Sequence, residues 1–148
     1  MHKQLDEYYR QFFRASRLYA SYAKSQGLSL QEFFLLRLLR DEGQGLCQRD
    51  IADSLAIPKQ TMSRMLRGLV DQGIVAQAPS PADGREKLYA LTETGKARAA
   101  QVIGEFDRIE EVCCEELEGK LERFNAINRT YLDAFERHMT ETERKDAR

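Results

Sequence analysis

The sequence has little of what most catalytic and metal sites are made from. Its 148 residues include two histidines, His2 and His138, and three cysteines, Cys47, Cys113 and Cys114. An odd number of thiols without metal-motif spacing supports neither a disulfide framework nor a zinc finger. Neither histidine has a partner at ligand spacing, none neighbours a Cys or Ser, and no Gly-rich phosphate loop occurs. No metal or cofactor is therefore expected, and the chain does not read as an enzyme. Long apolar runs are also lacking: none approaches the roughly 18 residues that a membrane span requires. Met1 to Arg10 is polar, without the apolar core of a signal peptide. A single cytoplasmic domain with no membrane partner is the expectation.

An excess of one charge is missing as well. Against 23 Lys and Arg stand 24 Asp and Glu, a formal net charge of -1, which excludes a polycation that coats nucleic acid indiscriminately. The balance is a cancellation. Residues 1–45 hold seven basic and five acidic side chains, 46–104 eight and six, and 105–148 eight and thirteen. The acidic surplus belongs to the C-terminal segment, which leaves the rest of the chain basic.

What is present is helical periodicity. From Leu5 to Tyr22 apolar residues recur three or four apart, the spacing of one helix face, and the pattern stops near Gly27. Ser29 and Glu32 have the spacing of a capping box, with Leu28 and Phe33 placed for a hydrophobic staple, so a second helix is predicted from Leu30. Phe33 to Leu39 makes that helix apolar around most of its circumference, as burial demands. A short helix over about Gln48 to Ala56 follows. Ile57 and Pro58 force a turn, Pro58 can serve as the first helical residue of the next helix, and Gly73 suits its left-handed C-terminal cap. Ile74 to Ala78 and Lys87 to Leu91, joined through Asp83-Gly84, read as a β-hairpin. Thr92 can cap a helix of about 25 residues. A break at Glu118-Gly119 precedes a last amphipathic helix from Leu121 to Met139, and Thr140 to Arg148 reads as a polar tail.

Helix, turn, helix and hairpin in that order form a winged helix-turn-helix, whose second helix enters the DNA major groove. At about 100° per residue, Lys59, Ser63, Arg67, Gln60 and Arg64 share one arc of roughly 140°, while Met62, Met65, Leu66 and Leu69 lie on the other side. Residues 56–70 carry three basic side chains and no acidic one. Arg64 and Arg67 have the fork geometry for guanine edges or phosphates, Gln60 can pair with adenine, and Thr61 or Ser63 can bond phosphate or base. At the hairpin tip, Asp83 stands two residues before Arg85, with Lys87 behind. An arginine so presented suits the enhanced negative potential of a narrow minor groove.

With Asp83-Gly84-Arg85, Leu91-Thr92 and Gly95, and with Gln48-Arg49-Asp50-Ile51-Ala52 and Thr61-Met62-Ser63-Arg64, the chain resembles the MarR family of bacterial transcription regulators over nearly its whole length. The resemblance implies a mainly α fold with a small β-hairpin wing and long dimerisation helices at both ends. Residues 1–27 and 96–140 would form the dimerisation region, 28–95 the DNA-binding region and 141–148 the polar tail. It further implies a homodimer on a pseudopalindromic duplex operator, usually a repressor released by a small ligand or oxidant, with Arg85 as the wing-tip arginine. Cys47 and Pro58 stand where the family usually has Thr or Ser, so the caps there should be weaker or differently made. A helix N-terminus could lower the Cys47 thiol and make it oxidisable, although a buried, inert cysteine is the favoured reading.

Eight of the thirteen aromatic residues lie in the first two helices. Tyr8, Phe12, Tyr19 and Phe33 with Arg14 are a candidate pocket for a small aromatic or anionic effector, although plain dimer core explains them equally well. The rival functional readings are a redox-responsive regulator using Cys47 or Cys113 and Cys114, and a winged-helix module that binds protein without DNA specificity.

Overall fold

The computed structural model describes residues 2–82 and 84–146. Six helices and three short strands follow the order α1 (His2–Ser25), α2 (Leu30–Glu42), β1 (Leu46–Cys47), α3 (Gln48–Ser54), α4 (Lys59–Asp71), β2 (Val75–Pro79), β3 (Lys87–Leu91), α5 (Glu93–Glu116) and α6 (Lys120–Asp146). By contacts the chain divides within α5, one compact unit running to Glu105 and a second beginning at Phe106.

In the first unit the capping box of α2 is complete. Ser29 Oγ accepts from the Glu32 N–H at 3.2 Å, and Glu32 Oε2 accepts from the Ser29 N–H at 2.8 Å, which satisfies two orphan donors reciprocally. The helix then buries Phe33, Leu35, Leu36 and Leu39. They join Ile51, Met62, Leu66, Val75, Val102 and Ile103, so one core is shared by α2, α3, α4, β2 and the start of α5. Only the C-terminal end of α1 reaches it. Ala23 is buried, and the half-buried Tyr22 places its ring 5.8 Å from Phe33 and donates from Oη to the Val102 carbonyl at 2.7 Å.

Three details differ from expectation. The hairpin belongs to a three-stranded antiparallel sheet of order β1-β3-β2, because Leu46 and Cys47 pair with Tyr89 and Leu88. Two residues are too few to show the alternation by which a strand is read. Helix α3 ends at Ser54 rather than Ala56, since Ala56 takes φ 50 and leaves the helical region. The residues expected as a polar tail continue α6 as far as Asp146; a helix polar all round gives no apolar period to follow.

The second unit comprises the rest of α5 and all of α6, separated by a turn in which Glu118 and Gly119 both have positive φ, the break expected there. Its apolar side chains are mostly uncovered: Ile109, Val112, Leu117, Leu121, Phe124, Ile127, Leu132, Phe135 and Met139 are all exposed.

Candidate nucleic-acid interface

The α3–α4 pair is set by its turn. Leu55 and Ala56 close α3, Ile57 is buried, and Pro58 is extended at φ -55 and ψ 139. Pro58 is thus the N-cap of α4 rather than its first helical residue, and it makes no side-chain cap. The first intrahelical bond runs from the Met62 N–H to the Pro58 carbonyl at 3.0 Å, so the N–H groups of Lys59, Gln60 and Thr61 have no partner within the helix. With no acidic residue in the first turn, this end of α4 is electropositive. Gln48 Nε2 donates to the Lys59 carbonyl at 3.2 Å and ties the start of α3 to that of α4.

Helix α4 has the two faces that the angular arithmetic predicts. Met62, Leu66 and Leu69 are buried; Lys59, Gln60, Thr61, Arg64 and Arg67 are exposed, and Ser63 is half-buried. Gln60, Ser63, Arg64 and Arg67 line an open depression of about 330 Å³. Several exposed cations elsewhere are paired: Arg10 with Glu7, Arg49 with Asp50 and Glu86, Lys96 with Glu93 and Lys120 with Glu118. Among the described residues Lys59, Arg64, Arg67 and Lys87 have no ion pair.

The wing is anchored at both ends. At the loop base the Ser80 N–H donates to the Glu86 carbonyl at 2.8 Å, and Ser80 Oγ accepts from the Ala82 N–H at 3.3 Å. Gly84 and Arg85 are exposed beyond that closure. Asp83 lies outside the described residues, and with it the expected Asp83–Arg85 arrangement. At the other end Thr92 holds three segments. Its Oγ1 donates to the Gly73 carbonyl at 2.6 Å and accepts from the Gly95 N–H at 2.9 Å, while its own N–H donates to the Ile74 carbonyl at 3.0 Å. Gly73, at φ 71, turns the chain out of α4.

A second depression, of about 290 Å³, lies between α4 and the hairpin. Its lining includes Gln77 and Tyr89, which sequence reasoning missed. The signal was available in the period of two: Val75 pairs with Leu91, Gln77 with Tyr89 and Pro79 with Lys87, so these six share one face of the hairpin. That face passes from core, at buried Val75 and Leu91, to polar groups as the strands leave the body.

Cys47 is the N-cap of α3 and is buried; its Sγ accepts from the Asp50 N–H at 3.4 Å. Desolvation by burial pushes the thiol above its ordinary value and outweighs the lowering by that hydrogen bond. The lowered, oxidisable thiol that a helix N-terminus suggested is therefore not what this cysteine has. Cys113 and Cys114 are exposed.

The candidate effector residues are dispersed. Phe33 is fully buried, Tyr19 sits 5.6 Å from Phe34, Tyr8 is half-buried, and Phe12 is exposed on α1. Arg14 instead lines a shallow depression of about 570 Å³ along α1, together with Arg10, Arg17, Tyr9 and Phe13. No group of three or more His, Cys, Asp or Glu among the described residues could hold a metal ion, and no described helix is long and apolar enough to cross a membrane.

A helix pair with a buried inner face and a donor-rich outer face, followed by an anchored hairpin, is a winged helix-turn-helix. The MarR family model matches residues 26–86. The fold matches that of a MarR family regulator from Neisseria meningitidis with a TM-score of 0.82 and 26% identity, over 94% of this chain and 98% of that one. It also matches the transcriptional repressor CouR bound to a 23-mer DNA duplex, with a TM-score of 0.66 and 26% identity, over 86% and 89% of the two chains. In sequence the chain is 33% identical over 93 residues to the HTH-type transcriptional repressor YetL of Bacillus subtilis (strain 168), a match covering 62% of this chain and 56% of that one. The chain spans about half the length of the curated relatives it matches. The segment from 26 to 86 is thus similar in sequence to the MarR family, and the fold is similar to that of MarR family regulators.

Proposed function

We propose that this chain is a sequence-specific DNA-binding transcription regulator, working as a homodimer with α4 in the major groove and the wing in the adjacent minor groove. The observation that carries the reading is the uncommitted donor set on the outer face of α4, above an electropositive helix end and beside the wing. Three unpaired cations, Lys59, Arg64 and Arg67, lie within nine residues of one helix with no acidic residue among them. The similarity to a repressor in complex with duplex DNA points the same way.

Two copies related by a two-fold axis would present their recognition helices to half-sites roughly 34 to 36 Å apart. The exposed apolar rows of α1 in one unit and of α5 and α6 in the other supply the surface for that pairing. Repression is the mode expected, with release by a small anionic or aromatic ligand. In the α1 depression, which Asp6 and Glu7 also line, Arg10 is paired with Glu7, and Arg14 and Arg17, beside Tyr9 and Phe13, are the groups to receive it. Burial of Cys47 disfavours that thiol as an alternative signal input.

The deciding experiment is a gel shift with the DNA upstream of the chain's own gene at about 150 mM salt, with random duplex as competitor. A shift resistant to the competitor is expected. A shift that random DNA abolishes equally well, or none, favours a winged-helix module that uses the same face to bind protein.

A further inference from the structure

We propose that the cleft between α4 and the hairpin is a seat for one backbone phosphodiester of the duplex, the strand that separates the major groove from the minor groove. The inference rests on the proposed docking, and the geometry adds what that docking does not specify. A body with its helix in one groove and its wing in the next must straddle a phosphodiester strand, because such a strand forms the wall between the two grooves. On this chain the place where the wall must pass is the depression of about 290 Å³ between α4 and the sheet.

Its lining suits an anion. Arg67 and Ser63 come from α4; Lys87, Tyr89 and Gln77 come from the hairpin face fixed by the Gln77–Tyr89 and Pro79–Lys87 register. Two cations, two hydroxyls and a carboxamide converge there, and among the described residues none of these side chains is engaged in a hydrogen bond or ion pair. Ser63 and Tyr89 are half-buried, so their donors are held at the cleft rather than free in solvent. Such a contact is blind to sequence; it fixes the register in which the base-reading side chains of α4 meet their pairs. Asp71, the last residue of α4, also lines the cleft and sets a like charge against the phosphate. Removing that carboxylate should therefore strengthen binding.

The test measures coupling between protein and a single phosphate. Wild type, Lys87→Gln, Tyr89→Phe and Asp71→Asn are titrated by fluorescence anisotropy against the duplex that the wild type selects. The titrations are repeated with duplexes in which one linkage at a time is a neutral methylphosphonate. Losing one counterion-releasing contact should cost about fivefold at about 150 mM salt. One linkage per half-site should show that loss with wild type and a smaller one with Lys87→Gln, which already lacks part of the contact. Tyr89→Phe, which keeps the ring in place, should lose less but at the same linkage, and Asp71→Asn should bind more tightly every duplex that keeps its charge at that linkage. If the losses from Lys87→Gln and from the neutral linkage multiply at every position, the seat is disproved while DNA binding stands. If wild type selects no duplex, the docking itself fails and the seat with it. Unchanged melting temperatures of the variants separate these results from misfolding.

Discussion

At the residue scale, Gln60 and Arg85 are exposed polar side chains at the two ends of the proposed contact, and they should fail in different ways. Arg85 is placed to work by charge. Arg85→Ala should weaken binding to all duplexes and lower the salt slope by about one. Gln60 is placed to read a base edge, so Gln60→Ala should leave the slope alone and relax the preferred sequence, costing about 1–3 kcal/mol of discrimination at one position. Titrations across salt and selection from random DNA separate the two, and identical selected motifs would remove Gln60 from the reading set. Cys47 makes a prediction of another kind. Burial raises its thiol above the ordinary value of 9.0, so the folded state holds its proton at pH values where the unfolded chain has released it. Its contribution to stability is complete below the unfolded value and is lost as pH rises toward the folded one. Between about pH 8 and 10 the urea midpoint should fall more steeply for wild type than for Cys47→Ala, and parallel pH profiles would refute the assignment.

At the scale of elements, the joint made by Thr92 and Gly95 governs how the wing is held to the recognition helix. A Cβ built on Gly95 would collide with the Ile74 carbonyl oxygen, a backbone atom with no rotamer to yield. Gly95→Ala must push the start of α5 away from β2, at a cost of about 1–3 kcal/mol or more. Thr92→Val keeps the shape but loses the hydroxyl that donates to Gly73 and accepts from Gly95, and should cost about 1–2 kcal/mol. Chemical denaturation gives both numbers, and a Gly95→Ala chain as stable as wild type would show that the contact yields without cost. Much of this level is legible in the sequence. Ser29 and Glu32 announce the start of α2 because the cap is made by residues three apart, and Gly73 announces the end of α4 for an equally local reason. The inner face of α4 follows from a period of 3.6 alone. The strand β1 does not, because its pairing with β3 joins residues some forty positions apart. The side of the cleft formed by Gln77 and Tyr89 is legible only once the register across the hairpin is fixed. The burial of Cys47 is likewise a tertiary fact: its position as a cap suggests a lowered thiol, and the core around it reverses the sign.

At the scale of the whole molecule, exposed apolar surface is the feature that one chain leaves unexplained. Phe12 and Phe13 on α1 are 56% and 60% exposed, and Phe124 and Ile127 on α6 are 63% and 61% exposed. Soluble monomers rarely leave apolar rows of this kind uncovered, and these recur at helical spacing, as a face prepared for another helix does. A second copy of the chain meets the need, and a dimer of this type buries about 2,000 Å² or more, with a hydrophobic centre. The chain should therefore sediment at twice its 17.1 kDa mass at micromolar concentration. Phe124→Asp sets a charge within the α6 row without touching the core of the first unit, so the winged helix should keep its helical signal while the sedimenting mass halves. Specific DNA binding should fall with it. One recognition helix and one wing contact a half-site, and the free energy that two linked half-sites contribute together is lost when the copies separate. Binding to random duplex, which depends on charge alone, should change far less. A Phe124→Asp chain that is monomeric yet holds its operator as tightly as wild type would show that one copy suffices for recognition, and that the apolar rows serve some partner other than a second copy.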